Sequence, residues 1–220
     1  MPHRSRRNQL SDSLLYHIFN RSHLRIDIFN DDDDFEYFFS LLKRYSVKFD
    51  VKIFHWVIMS NHYHFLAEIS KPLQMSSFMS GLARAYVSYY KRKYNSVGSL
   101  WQGRFKSQAI EKESYYFACA RYIERNPVKA LKVDNAWDYK HSSAAFYVLN
   151  DESKNISKDP IFESTYSAKD YAEYLNDDKE EESEVFNGLE HPRGSAKFLA
   201  NLHREGNHYY PRKQGRISNI

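Results

Sequence analysis

The sequence contains a single cysteine and only 7 glycines, and both shortages exclude classes of protein. One cysteine, Cys119, permits neither a disulfide framework nor a zinc site built from several cysteines. The apolar residues at helical spacing around it indicate a buried thiol rather than a nucleophile. Neither Gly-x-x-x-x-Gly-Lys nor Gly-x-Gly-x-x-Gly occurs, so an NTPase with a glycine-rich phosphate loop is disfavoured.

Long apolar runs are also missing. No segment approaches the roughly 20 apolar residues that a membrane-spanning helix needs. Residues 1–7 are basic and are not followed by the apolar stretch of a secretory signal. We therefore expect a soluble cytoplasmic protein that does not act at a membrane.

Charge is distributed unevenly along the 220 residues. Residues 1–149 hold 22 Lys and Arg against 14 Asp and Glu, whereas residues 150–220 hold 10 against 14. Aromatic residues make up 16% of the chain, with 18 tyrosines interleaved among the basic residues. This composition suits a surface that pairs with phosphates and stacks on unpaired bases, but it suits an aromatic-rich core equally well.

Hydrophobic periodicity predicts the order β-α-β-β-α-β-α. The predicted strands cover 14–20, 51–58, a segment from 62 onward and 105–111, and the predicted helices include 35–49, 73–94 and 114–127. This order is typical of an α+β, ferredoxin-like split βαββαβ fold, an antiparallel sheet with two helices on one face. The added C-terminal helix is expected to cover the other face.

Periodicity weakens after residue 149, which divides the chain into a predicted domain over 1–149 and an extension over 150–220. Residues 150–195 are polar and acidic, so we expect them to be loosely structured. A short apolar helical pattern follows within 194–206. A basic tail over 212–216 is either a solvated terminus or an arm that contacts phosphates.

Two clusters of polar residues have the composition of metal sites. His62 and His64 are two residues apart on a predicted strand, so both imidazoles lie on one face and can reach one ion. Two histidines alone do not decide which metal binds, and exposed strand histidines without a ligand are the alternative. The four aspartates at 31–34 precede a helix, where they fit an N-terminal cap; a carboxylate metal cluster is the alternative.

Tyr122 and Asn126 lie four residues apart, on one stripe of the last predicted helix. A phenol and an amide oxygen therefore share a helical face. If this helix covers the histidine face of the sheet, Asn126 can complete a set of metal ligands beside Tyr122. The alternative is a core tyrosine and an asparagine that ends the helix, and spacing alone does not select Tyr122 from 18 tyrosines.

Four sequence motifs in order resemble those of the single-tyrosine HUH transposases, particularly the REP-associated tyrosine transposases. They are Tyr-His-Ile-Phe-Asn-Arg at 16–21, Met-Ser-Asn-His-Tyr-His-Phe-Leu at 59–66, Leu-Trp-Gln-Gly-Arg-Phe-Lys at 100–106 and Tyr-Ile-Glu-Arg-Asn-Pro-Val-Lys-Ala at 122–130. The resemblance extends over about 14–148. Ser60 stands where many relatives have proline. This difference does not affect the implied chemistry.

The resemblance implies a site and a reaction. His62, His64 and Asn126 would hold a divalent metal, Mg²⁺ or Mn²⁺. Tyr122 would be the nucleophile that forms a 5′-phosphotyrosyl bond with single-stranded or hairpin DNA, which a second 3′-hydroxyl can then attack. The sequence leaves open whether the protein is a monomer or a homodimer.

Seven basic residues are candidates for DNA contacts because their charge can pair with phosphates. They are Arg104 and Lys106 in the third motif, Lys91, Arg92 and Lys93 at a predicted helix end, and Arg121 and Arg125 beside Tyr122. Two other functions remain open. An HUH replication or conjugation initiator shares the chemistry, and a non-catalytic nucleic-acid-binding protein shares only the scaffold.

Overall fold

The computed structural model describes residues 14–177, 185–186 and 192–204. Four strands, β1 (Leu14–Arg21), β2 (Val51–Ile58), β3 (His62–Ile69) and β4 (Lys106–Ile110), form an antiparallel sheet in the order β2-β3-β1-β4. Helix α1 (Asp32–Phe49) connects β1 to β2, and helix α2 (Pro72–Tyr94) connects β3 to β4. Helix α3 (Lys112–Glu124) follows β4. The predicted order and the ferredoxin-like α+β fold are confirmed.

The sheet separates two apolar layers because successive strand side chains point to opposite faces. Tyr16 and Ile18 of β1 pack with α1 and α2, whereas Leu15 packs with Cys119 and Ile123 of α3. Helix α3 therefore covers the face of the sheet opposite α1 and α2, as expected. Cys119 is fully buried, which confirms the prediction of a structural thiol.

The four aspartates mark the start of α1. Asp31 is the N-cap, and its side chain accepts a hydrogen bond from the backbone N–H of Asp34. Lys93 lies 2.6 Å from Asp31 and 2.8 Å from Asp34. A cap and a neutralising lysine account for this cluster, and in the described part of the chain no group of three or more His, Cys, Asp or Glu side chains can hold a metal.

In the described part of the chain, further α-helices follow α3. They are α4 (Asn126–Lys129), α5 (Ala144–Leu149), α6 (Pro160–Thr165), α7 (Ala168–Asn176) and α8 (Ala196–Arg204). Of the helices described, none is long and apolar enough to cross a membrane.

The expectation of a loosely structured segment over 150–195 is wrong for its first half. Asp159 caps α6, and Tyr171 and Leu175 of α7 are fully buried against Tyr147 of α5. Helices α6 and α7 are only 6 and 9 residues long and lie between polar and acidic segments, so the expectation did not separate them from their surroundings. The division at residue 149 stays a prediction, although this apolar cluster spans it. The basic tail over 212–216 lies outside the described residues.

Candidate active site

A pocket of about 720 Å³ opens where β1 ends and β3 begins, on the side of the sheet that α3 covers. It is lined by Phe19, Asn20, Arg21, Arg25, Asn61, His62, His64, Gln102, Gly103, Arg104, Lys106, Tyr122 and Asn126. The four residues predicted for nucleophile and metal ligands are all among them. One chain therefore contributes the tyrosine and both histidines to the same pocket.

The strand register brings the two histidines together. In β3, His62 pairs with Arg21 and His64 pairs with Phe19 of β1, so both imidazoles lie on the α3 face. Their ring centroids are 5.3 Å apart. Burial lowers the pKa of both rings, most strongly for His64, where the nearby His17 and His62 add to the effect. Both imidazoles are therefore neutral, the form that binds metals.

Tyr122 and Asn126 reach the pocket from the helical layer. Asn126 Nδ2 donates a hydrogen bond to the Tyr122 carbonyl oxygen at 2.8 Å, which turns the amide oxygen away from the helix. The Asn126 side chain also hydrogen-bonds His62. The Tyr122 ring stands edge-on to His64, with the centroids 5.7 Å apart. Spacing of four residues thus places a phenol and an amide beside the histidines.

The environment of Tyr122 opposes ionisation of its hydroxyl group. Its side chain is 8% exposed, and Phe186 packs against the ring at a centroid distance of 5.4 Å. Burial, with a smaller contribution from Cys119, raises the pKa of Tyr122 to about 12. A reaction that uses the phenolate therefore needs a cation or a proton acceptor brought to this pocket.

The residues present fit a divalent metal. Two neutral imidazoles and an amide oxygen are suitable ligands, and the pocket is large enough for water and a phosphate to supply the others. Asn61 Oδ1 lies 2.6 Å from His62 Nδ1, and His17 Nε2 lies 2.8 Å from His64 Nδ1. Metal-binding histidines commonly have such a partner on the ring nitrogen that does not bind the ion.

Cations line the mouth of the pocket. Arg104 and Lys106, for which DNA contacts are predicted, are exposed and border it, and Arg21 and Arg25 line it as well. Within the described part of the chain, no carboxylate lines this pocket. Sequence reasoning missed Arg21 and Arg25, although Arg21 belongs to the first of the four motifs. Four positive charges around one opening favour a phosphate-bearing ligand.

The basic residues at the end of α2 do not line the pocket. Lys93 is held by Asp31 and Asp34, and its Nζ also lies 3.2 Å from the Tyr89 hydroxyl oxygen. A lysine already neutralised by two carboxylates is a poor phosphate contact, and the role of Lys93 in DNA binding stays a prediction. Lys91 and Arg92 lie outside the pocket lining, and their role in DNA binding stays a prediction.

Arg121 and Arg125 also lie outside the pocket lining, and their role in DNA binding stays a prediction. Arg121 is 4% exposed and lies over the Tyr174 ring, and Arg125 is 7% exposed and donates a hydrogen bond to the Leu175 carbonyl oxygen. These guanidinium groups attach α3 to α7. The sequence placed them near Tyr122 correctly, but their direction around the helix depends on α7, which periodicity did not reveal.

His17 and Gln108 are further residues that sequence reasoning missed. They are paired across β1 and β4, both are fully buried, and His17 Nδ1 lies 3.4 Å from Gln108 Oε1. His17 is part of the first of the four sequence motifs. Its contact with His64 depends on the register between β1 and β3, which a single sequence does not specify.

Comparisons with known proteins identify a family and a fold. Residues 11–126 match the family model described as "Transposase IS200 like". A solved REP-associated tyrosine transposase bound to a REP hairpin is similar with a TM-score of 0.54 and 16% identity, over 76% of this chain and 96% of that one. A putative transposase from Deinococcus radiodurans R1 has a TM-score of 0.39 and 14% identity, over 57% and 97% of the two chains. A comparison with curated proteins finds no match.

Proposed function

Because the chain belongs to the IS200-like transposase family, we propose that it cuts and rejoins single-stranded, hairpin-containing DNA through a covalent bond to Tyr122. The main support is the presence of Tyr122, His62, His64 and Asn126 in one pocket with a cationic rim. These residue types are the ones that metal-assisted phosphoryl transfer to a phenol requires.

In the proposed cleavage step, Tyr122 Oη attacks the phosphorus of a DNA phosphodiester. The Oη–P bond forms and the P–O3′ bond breaks, leaving a 5′-phosphotyrosyl bond and a free 3′-hydroxyl. The phenol proton is lost to water, and the departing 3′ oxygen takes up a proton in its place. Rejoining is the reverse reaction with the 3′-hydroxyl of another strand, so no nucleotide cofactor is consumed.

Each polar residue of the pocket has a role in this step. His62, His64 and Asn126 would hold a divalent metal, Mg²⁺ or Mn²⁺, which when bound polarises the phosphate and offsets developing negative charge. Packing of Tyr122 against Phe186 and against the edges of His17 and His64 fixes the ring of the nucleophile. Fixing the nucleophile beside the ligands lowers the entropic part of the barrier.

The rim of the pocket supports the choice of DNA as substrate. Arg21, Arg25, Arg104 and Lys106 surround the opening, and the similar solved transposase was bound to a REP hairpin. A hairpin stem offers closely spaced phosphates to such a rim, while the unpaired flank can enter the pocket. Because Tyr122 and the histidines meet within one chain, we propose that a single subunit carries a full set of catalytic residues.

A covalent adduct provides the test. The protein is incubated with single-stranded hairpin DNA taken from beside its gene, labelled at each end in turn, with Mg²⁺ or Mn²⁺, and resolved on a denaturing gel. We expect a protein band that carries DNA only when a metal is present. Tyr122→Phe should abolish that band, whereas the control Tyr115→Phe, on the same helix but outside the pocket lining, should retain it.

The same gel separates the alternatives. DNA binding without an adduct under either metal would indicate a non-catalytic binding protein on this scaffold. An adduct that persists in Tyr122→Phe would show that another tyrosine is the nucleophile, and Tyr115 and Tyr116 would be tested next.

A further inference from the structure

We propose that His17 and Gln108 are positioning residues that hold His64 with its proton on Nδ1, so that its Nε2 would be free to bind a metal. This inference rests on the proposed function, because it concerns the assembly of the same site. Neither residue reaches the pocket surface, so each would act through His64.

The three side chains form a continuous buried row on the α3 face of the sheet. Gln108 of β4 lies directly opposite His17 of β1, and His64 of β3 lies diagonally across from His17. The distances along the row are 3.4 Å from Gln108 Oε1 to His17 Nδ1 and 2.8 Å from His17 Nε2 to His64 Nδ1. The His17 and His64 rings are nearly parallel, with an interplanar angle of 18°.

The hydrogen bond that Gln108 makes at one end of this row determines where the ring protons lie. Gln108 Nε2 donates a hydrogen bond to the Val185 carbonyl oxygen at 3.4 Å, and a carbonyl oxygen can only accept. Gln108 therefore presents its oxygen to His17, so His17 carries its proton on Nδ1. A neutral His17 then offers a lone pair at Nε2, and the 2.8 Å contact places the His64 proton on Nδ1. His64 Nε2 is left without a proton.

His62 also has a partner on its Nδ1. Asn61 Nδ2 donates to the Arg25 carbonyl oxygen at 2.9 Å, which fixes the direction of its amide. Asn61 Oδ1 then faces His62 Nδ1 at 2.6 Å. A side chain thus contacts the Nδ1 of each histidine, Asn61 for His62 and His17 for His64. Such partners orient the rings of metal-binding histidines.

The test for His64 is the ¹⁵N spectrum of its ring nitrogens in metal-free protein, assigned by the loss of signals in His64→Ala. We expect a protonated Nδ1 and an unprotonated Nε2. In His17→Phe the acceptor is lost, and a buried N–H without a partner is costly, so the proton should move to Nε2. In Gln108→Met, which preserves side-chain length, His17 loses its fixed direction and His64 should show a mixture of both forms.

His23→Phe is the matched control, because His23 is exposed and lies outside the row. It should leave the His64 signals unchanged. A wild-type proton on Nε2 would overturn the proposal, as would His64 signals that are identical in the wild type and in whichever of the two row variants folds. Gln108→Met keeps the test decisive if His17→Phe does not fold.

Mn²⁺ binding by calorimetry gives a second measurement. Loss of an outer partner of a metal-binding histidine typically weakens affinity by about 10- to 100-fold, and we expect this for both row variants. Affinities equal to the wild type would contradict the positioning role. If the wild type itself binds no Mn²⁺, the proposed function fails, whereas the ¹⁵N signals still decide the proton positions along the row.

Discussion

Glu124 Oε1 lies 2.9 Å from His55 Nδ1, and neither side chain has any exposed surface. Asp159 Oδ2 lies 3.3 Å from the other ring nitrogen of His55, so one imidazole sits between two buried carboxylates. Glu124 belongs to α3, two residues after Tyr122, whereas His55 belongs to β2 and Asp159 lies in the C-terminal extension. This buried group therefore fixes the helix that carries Tyr122 to both the sheet and the extension.

Hydroxyl groups donate further hydrogen bonds to the two carboxylates. Ser143 and Tyr171 donate hydrogen bonds to Glu124 at 2.6 Å and 2.8 Å, and Tyr116 donates one to Asp159 at 2.5 Å. Buried charges are tolerated when they are paired and hydrogen-bonded in this way. Removal of one member should therefore cost more than the loss of a single contact.

The first prediction is that His55→Gln lowers the free energy of unfolding by about 3–5 kcal/mol, because two buried carboxylates lose the charge between them. Urea denaturation at neutral pH measures the change. His23→Gln, an exposed site, should differ from the wild type by less than about 0.5 kcal/mol. A small effect of His55→Gln would indicate that the carboxylates are not both ionised in the folded protein.

The second prediction concerns pH. Burial alone would lower the pKa of His55, but the charges of Glu124 and Asp159 outweigh it and raise the pKa to about 9. The stabilisation that the charged His55 gives the folded protein is complete below 6.5, the pKa of this histidine in the unfolded chain. It is lost as the pH rises through about 9. The expected loss of stability over this range is about 3 kcal/mol.

Urea denaturation between about pH 6 and about pH 10 checks this expectation. Other groups titrate in the same range, so the informative quantity is the difference in stability between the wild type and His55→Gln. That difference should narrow as the pH rises, because the wild-type imidazole loses its charge. A constant difference would mean that His55 is neutral throughout.

The sequence alone was sufficient for most of the fold because its two periodicities are clear. Strand alternation and helical spacing identified the order of β1 to α3, and the alternation placed His62 and His64 on one face. Strand register was not accessible, so the approach of His17 to His64 was missed. The extension was misjudged because α6 and α7 are only 6 and 9 residues long and are bordered by polar and acidic residues, although the apolar positions of α7 follow a helical period.

The choice of Tyr122 depended on the family resemblance, because 18 tyrosines share its chemistry. The directions of Arg121 and Arg125 could not be inferred at all. Both lie on the same helix as Tyr122 or immediately after it, and whether they face DNA or the protein depends on α7. A charged residue near a nucleophile is therefore weak evidence for substrate contact until the packing of its helix is known.

The third prediction ranks the metal ligands. His62→Ala and His64→Ala should each lower Mn²⁺ affinity more than Asn126→Ala, because an imidazole nitrogen binds this ion more strongly than a neutral amide oxygen that water can replace. Calorimetry with Mn²⁺ measures the three affinities, and His23→Ala serves as a control outside the pocket lining. Unchanged Mn²⁺ binding in both histidine variants would show that the metal position is wrong.

The fourth prediction concerns the cationic rim and uses the salt dependence of DNA binding. Arg104 and Lys106 are exposed at the pocket opening, so replacing both with alanine should weaken hairpin binding. Each lost phosphate contact should also reduce the slope of log affinity against log salt by about 0.7–0.9. Affinities measured by fluorescence anisotropy at several salt concentrations provide this slope. Mn²⁺ affinity should not change, because neither side chain is a proposed ligand.

The matched control for this measurement is the double variant Lys52→Ala and Lys112→Ala, which removes the same net charge. Both lysines pair with Glu68, at 2.9 Å and 2.8 Å, and neither lines the pocket. If only the total charge of the protein mattered, the two double variants would change the salt slope equally. A change confined to Arg104 and Lys106 would locate the phosphate contacts at the pocket opening, whereas an unchanged slope there would show that these two residues do not contact the DNA backbone.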